Sequence, residues 1–172
     1  FKKFGSEKSI KFLENMKEAN IIFSSLNEVG KEAQVKFVGG CVRKSLCGEK
    51  IEDIDLATSI TPDEVKKKLS DNNIRVIETG ISHGTVTAIL NKKKFEITTL
   101  RKDISTDGRH ADVEFTTDWQ QDALRRDFTI NAIFADIDGR IFDPLNGVED
   151  LKKGKVSFIG SADERIKEDY LR

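Results

Sequence analysis

Three acidic side chains in this chain of 172 residues carry the pattern most able to do chemistry. Asp53 and Asp55 stand one residue apart in IEDIDLATS, and Glu96 sits in KKFEITTL. Side chains alternate along a strand, so Asp53 and Asp55 share one face while Ile54 and Leu56 anchor the other. Neighbouring carboxylates repel, and a hard cation with oxygen ligands relieves that repulsion. Mg²⁺ suits the role, because it takes a few carboxylates and completes its shell with waters and substrate phosphates. In FEITT, Phe95, Ile97 and Thr99 share one face and Glu96 and Thr98 the other. Glu96 is therefore the candidate third carboxylate of a two-metal phosphoryl-transfer site.

Gly39 and Gly40 end an apolar run in FVGGCVRKSL. Backbone without Cβ atoms approaches a ligand closely and offers N–H groups to a phosphate. Arg43, in the first turn of the short helix expected over 42–46, is a candidate phosphate or ribose contact. A second informative stretch is DALRRDFTINA. Arg125 and Arg126 are adjacent, so a helix would turn only one of them toward a cleft. Asp127, Thr129 and Asn131 alternate with Phe128, Ile130 and Ala132, which reads as a strand lining a polar pocket. Near the end of the sequence, Asp169 and Arg172 lie three apart on an expected helix and share a face.

These residues need a sheet beneath them. Strands are expected from Val35 to the glycine pair, through the two aspartates, and over 75–78, 85–90 and 94–100. The polar Asn91-Lys92-Lys93 turn joins the last two. Ser6 can cap a helix bearing Ile10, Leu13 and Met16, and a second pattern of Ile22, Leu26 and Val29 stops at Gly30. Thr61-Pro62-Asp63-Glu64 is a capping box opening a helix with Val65 and Leu69. The polar stretch 101–110 reads as a flexible loop leaving the site, followed by a strand over 113–115. Thr117 or Asp118 should cap the helix bearing Trp119. Asp138-Gly139 marks a hairpin, a short helix is expected over 148–153 and a brief strand over 155–159. Ser161 with Glu164 opens a helix still running at Arg172.

The composition excludes several classes. No run reaches the length of a membrane helix, and no signal-peptide pattern opens the chain. Cys41 and Cys47 lack zinc-site spacing and read as reduced, small, partly buried residues of a cytosolic protein. A formal net charge of −1 argues against holding RNA by bulk electrostatics alone. Phe1 in place of Met implies numbering that starts inside a longer product. We expect a helical segment over 1–33 packing on a catalytic head over 34–145, then a helical neck beginning at 146 and truncated at 172.

Together the motifs FVGGCVR, DIDLATS, TPDEV, SHGTV, FEITTLR, DGRH, RRDFTINAIFAD and EDYLR resemble the head and neck start of the class II tRNA nucleotidyltransferase and bacterial poly(A) polymerase family, within the polymerase β nucleotidyltransferase superfamily. The resemblance spans 35–172. It implies an α+β fold, with a mixed or antiparallel sheet of about five strands and helices on one side. It implies that Asp53, Asp55 and Glu96 hold two Mg²⁺ ions and are catalytic. One ion would activate the attacking hydroxyl and the other would neutralise the leaving pyrophosphate. Gly39, Gly40, Arg43, Arg126, Asp127 and Asn131 would bind the nucleotide. Glu168, Asp169 and Arg172 match the neck motif that reads the incoming base without a nucleic-acid template; the acceptor and donor pair Asp169 and Arg172 suits such an edge. The chain departs from the family at Lys44, where Asp is usual; Lys44 is not among the implied metal ligands, so metal binding is expected to survive the change. The implied reaction adds CMP and AMP from CTP and ATP to the tRNA 3′ end in the cytoplasm, with no membrane partner. The alternatives are a poly(A) polymerase using ATP alone, or an inert head fragment lacking its RNA-binding body.

Overall fold

The computed structural model describes residues 17–28, 30–51, 53–80, 83–104 and 112–160. The expected helices around Ser6 and after Ser161, and with the latter Glu168, Asp169 and Arg172, lie outside the described residues.

A seven-stranded mixed sheet forms the frame. Its strands are β1 (Val35–Val38), β2 (Ile54–Thr58), β3 (Arg75–Gly80), β4 (Thr85–Leu90), β5 (Lys93–Thr99), β8 (Phe134–Ala135) and β9 (Ile141–Phe142). Their order across the sheet is β3-β4-β5-β2-β1-β8-β9. The expected five strands become seven because the hairpin carrying Asp138-Gly139 joins the free side of β1 rather than standing apart. β2 and β5 run parallel, and every other pair in this sheet is antiparallel. The stretch read as a loop from Arg101 is a strand at first: β6 (Arg101–Ile104) pairs antiparallel with β7 (Asp112–Phe115) in a separate two-stranded ribbon. Composition hid it, because a two-stranded ribbon has no buried face to impose alternation.

The apolar face of the sheet is covered by α1 (Lys17–Leu26) and α3 (Pro62–Asp71). Ala19, Ile22, Phe23 and Leu26 of α1 and Val65 and Leu69 of α3 join Val35, Phe37, Ile54, Leu56, Phe95 and Ile97 in one core. Burial of such side chains contributes roughly 1.5–3 kcal/mol each, and this face holds the larger of the two cores. α3 starts at Pro62 with two acids in its first turn, but Thr61 makes no side-chain cap bond, so the capping box is not formed. α1 ends at Leu26, before the expected Gly30.

A second, smaller core lies on the opposite face, where Val38, Ala57, Leu100, Ala123, Ala132, Phe134 and Ile159 meet, with Trp119 against them. It is built by α4 (Trp119–Leu124) and the chain from 128 to 160. Asp118 caps α4 by accepting from the N–H groups of Gln120 (2.9 Å) and Gln121 (3.4 Å). α5 (Gly147–Lys152) lies so close to the preceding turn that a Cβ on Gly147 would stand 2.1 Å from the Thr129 carbonyl oxygen. Residues 146–160 are thus packed into the head: Thr129 Oγ1 donates to Asp150 at 2.6 Å, and the Ile159 N–H donates to the Asp127 carbonyl at 2.9 Å. The expected strand over 155–159 reduces to a single bridge between Phe128 and Phe158.

Candidate functional site

The parallel pairing of β2 and β5 sets Asp55 directly opposite Glu96. Alternation then puts Ile54 and Leu56, with their partners Phe95 and Ile97, into the apolar core, leaving the two carboxyls on the other face. Asp55 is half-buried and Glu96 exposed. Burial first, then the Glu96 carboxyl by charge and by hydrogen bond, push the Asp55 carboxyl up to about 6; Asp53 adds to the rise and Arg126 opposes it.

Asp53 occupies a different position from the one expected. β2 begins at Ile54, so Asp53 stands one residue outside the strand and is exposed. Ladder pairing starts at Ile54 opposite Phe95, which leaves Asp53 unconstrained by the sheet. Among the described residues no three His, Cys, Asp or Glu side chains form a group able to hold a metal ion. The three carboxyls expected to converge therefore resolve into a tight pair, Asp55 and Glu96, with Asp53 near enough to act on Asp55 through its charge.

The glycine pair sits beside this centre. Gly39 has φ of +78°, a left-handed conformation that L side chains rarely adopt, and it ends β1 so that α2 (Gly40–Leu46) can start at once. α2 is two residues longer at its start than expected. Cys41 binds it to β2: the buried thiol donates to the Val38 carbonyl at 3.4 Å and lies 3.7 Å from the Asp55 carbonyl oxygen. Burial pushes that thiol up to about 11, so it stays a neutral packing group. Cys47, expected to be partly buried, is exposed.

Arg43 of α2 points to the second motif, donating from Nη1 to Asn131 Oδ1 at 3.2 Å. Asn131 in turn donates to Asp127 Oδ1 at 3.3 Å, and the same oxygen accepts the Phe128 N–H at 2.7 Å. The stretch 127–132, read as a strand, is instead a 3₁₀ turn over Thr129–Asn131. Side-chain bonds from Asp127 and the Thr129 link to Asp150 supply local partners that outcompete a ladder. Arg43, Asn131 and Asp127 form one chain of hydrogen bonds, which joins both motifs.

Arg126 lies at the edge of the same region. Its Nε and Nη2 donate to Asp122 Oδ2 at 3.2 and 3.0 Å, and its guanidinium carbon stands 5.6 Å from the centre of the Phe134 ring. Burial lowers its pKa, Asp122 raises it, Arg125 lowers it and Asp55 raises it. Arg125, expected to point elsewhere, also donates to Asp122, at 3.0 Å from Nε. Asp122 was missed in the sequence, although the i, i+3, i+4 spacing of Asp122, Arg125 and Arg126 is that of a helical ion-pair cluster.

The arrangement is an oxygen-only acidic pair beside a backbone turn without Cβ atoms, with Arg126 in electrostatic reach of Asp55. A carboxyl raised to about 6 by burial and by a neighbouring carboxyl is a group that a hard divalent cation would return to its charged form. Two carboxylates are also the usual protein share for Mg²⁺, the remainder coming from water and phosphate. The residues present therefore fit such an ion.

Comparison with known proteins agrees with this geometry. The profile described as "Poly A polymerase head domain" matches residues 35–157. The mitochondrial CCA tRNA nucleotidyltransferase 1 of Homo sapiens is 51% identical over 162 residues, covering 94% of this chain and 36% of that protein. The CCA-adding enzyme of Lactococcus lactis subsp. cremoris (strain MG1363) is 42% identical over 167 residues, covering 94% of this chain and 40% of the relative. Among solved structures, the Bacillus stearothermophilus CCA-adding enzyme in complex with CTP superimposes with a TM-score of 0.73 at 37% identity, covering 87% of this chain and 35% of that one. The chain thus spans well under half the length of the relatives it matches. The mixed sheet, the paired carboxyls on the face away from its larger core and the profile match across 35–157 lead to one conclusion: the chain belongs to the poly(A) polymerase head-domain family.

Proposed function

We propose that this chain is the catalytic head of a tRNA nucleotidyltransferase that adds CMP and AMP from CTP and ATP to the tRNA 3′ end and releases pyrophosphate. The observation that carries the reading is the in-register pair Asp55 and Glu96 with Arg126 in electrostatic reach. The relatives' names support it, and one solved neighbour, at 25% identity and a TM-score of 0.62, is a tRNA nucleotidyltransferase complexed with a primer tRNA and an incoming ATP analog.

In this reading Asp55 and Glu96, together with Asp53, would hold Mg²⁺ through their carboxylate oxygens. An ion bound there would supply charge neutralisation to the triphosphate and acidity to the attacking 3′ hydroxyl. Gly39 and Gly40 give the triphosphate close access to backbone. Arg43 and Arg126 add fixed positive charge where the leaving pyrophosphate gains negative charge. Asn131 and Asp127 orient Arg43 and present polar atoms to the ribose. Glu168, Asp169 and Arg172 are assigned to reading the incoming base, as the motif resemblance implies. The expected limits of the segments, 1–33, 34–145 and 146–172, are retained as the domain proposal, with 146–160 docked on the head.

Asp53→Ala should abolish nucleotide incorporation into tRNA lacking its terminus while leaving the unfolding midpoint unchanged; near-normal turnover would refute the site. The family profile's own name keeps poly(A) synthesis as the second reading. Supplying CTP and ATP separately separates the two, since incorporation of CMP excludes an enzyme restricted to ATP. For compartment, we retain the cytoplasm from cysteine usage, beside the mitochondrion named for the human relative. No described helix is long and apolar enough to cross a membrane.

A further inference from the structure

Asp122 is 1% exposed, and a carboxylate so placed must find its full set of partners or be protonated. It finds them from two segments. Oδ1 accepts the Arg101 backbone N–H at 3.1 Å and Arg125 Nε at 3.0 Å. Oδ2 accepts Nε and Nη2 of Arg126 at 3.2 and 3.0 Å. Arg101 opens β6, two residues past the end of the strand that carries Glu96. One side chain therefore joins the end of α4, the Arg-Arg turn and the exit from the catalytic strand.

The consequence for Arg126 is geometric. A guanidinium is a planar fork, and fixing one edge fixes the direction of the other. Asp122 takes the Nε–Nη2 edge, while the Phe134 ring lies 5.6 Å from the guanidinium carbon. Carboxylate and ring together remove the rotamer freedom that a long side chain would otherwise lose only on binding its ligand. Arg126 keeps its charge within reach of Asp55.

We propose that Asp122 is a positioning residue for nucleotide binding: it pre-orients Arg126 toward the triphosphate and touches no substrate itself. This rests on the reading of Arg126 as a nucleotide ligand. A structural role alone would stabilise the fold without coupling to the ligand.

A double-mutant cycle on the intact protein separates the two. CTP affinity is measured by titration calorimetry in Mg²⁺ for wild type, Asp122→Asn, Arg126→Ala and the double variant, with unfolding midpoints alongside. Asp122→Asn keeps an oxygen for the Arg101 N–H but loses the charge that holds the fork. It should weaken CTP binding about tenfold, and the double variant should bind no more weakly than Arg126→Ala alone. Wild-type affinity in Asp122→Asn, or losses that multiply in the double variant, would overturn the proposal. An unchanged affinity in Arg126→Ala would instead refute the nucleotide assignment of Arg126. Should Asp122→Asn not fold, Asp122→Glu carries the same cycle, since it keeps charge and acceptor while displacing the carboxylate.

Discussion

Asp55 and Asp122 are two acidic side chains within the field of the same arginine, and they stand in opposite conditions. Asp122, the more deeply buried, accepts hydrogen bonds from Arg101, Arg125 and Arg126. Asp55 is less buried yet faces another carboxyl, and it is pushed up to about 6. Burial is the first cause of the rise at Asp55 and the like charge of Glu96 adds to it, whereas the more deeply buried Asp122 is surrounded by donors of opposite sign. The matched carboxylate serves the architecture, and the unmatched one is left wanting a cation. This fits the separation between sites that stabilise and sites that bind, where local strain marks function.

The largest expected effect comes from deleting the matched carboxylate. Asp122→Ala leaves four N–H donors from three arginines without their acceptor and buried positive charge uncompensated, and should cost about 3–5 kcal/mol of stability. Chemical denaturation at pH 7 reads it. A loss below about 1 kcal/mol would mean that solvent reaches the cluster and that the contrast with Asp55 is not one of matching.

The opposite sign is expected at Asp55. Its folded pKa is raised, so its contribution to stability is present below the unfolded carboxyl value near 3.8 and is lost as pH rises through about 6. Asp55→Asn removes that loss. In chelator at pH 7.5 the variant should melt a few degrees above wild type, about 2–4 °C for each kcal/mol at this chain length, with the difference vanishing toward pH 4. Adding Mg²⁺ should raise the wild-type midpoint and leave that of Asp55→Asn unmoved. A variant that melts below wild type at pH 7.5 would show that Asp55 is a structural partner after all.

Much of this was legible before any coordinates. The alternation in DIDLATS and FEITT placed one carboxyl of each on the polar face, and period two is a backbone property that tertiary context rarely alters. The register of β2 on β5 was not legible, because a parallel pair is set by the packing of Ile54, Leu56, Phe95 and Ile97 rather than by any turn between them. Asp53 shows the cost of extending a pattern by one residue past the ladder. The 3₁₀ turn at 129–131 shows that polar alternation over six residues also arises where Asp127 and Thr129 bond locally. Asp122 escaped notice because its meaning depends on Arg101, twenty-one residues away in the sequence and adjacent only in the fold.

The smallest effect sharpens the comparison most. Glu96→Gln keeps size and hydrogen-bonding capacity but removes the like charge opposite Asp55. Burial is the larger cause of the raised value and remains in the variant, as do Asp53 and the opposing Arg126. The Asp55 carboxyl should therefore fall only part of the way to its ordinary range, on the order of one pH unit. Carboxyl-carbon NMR titration without divalent ions measures it directly. A shift of that size assigns the repulsion to the cross-strand partner, as the parallel register requires. An unchanged titration would remove Glu96 as a cause and leave the rise to burial and Asp53, and the contrast with Asp122 would then not be one of cross-strand repulsion.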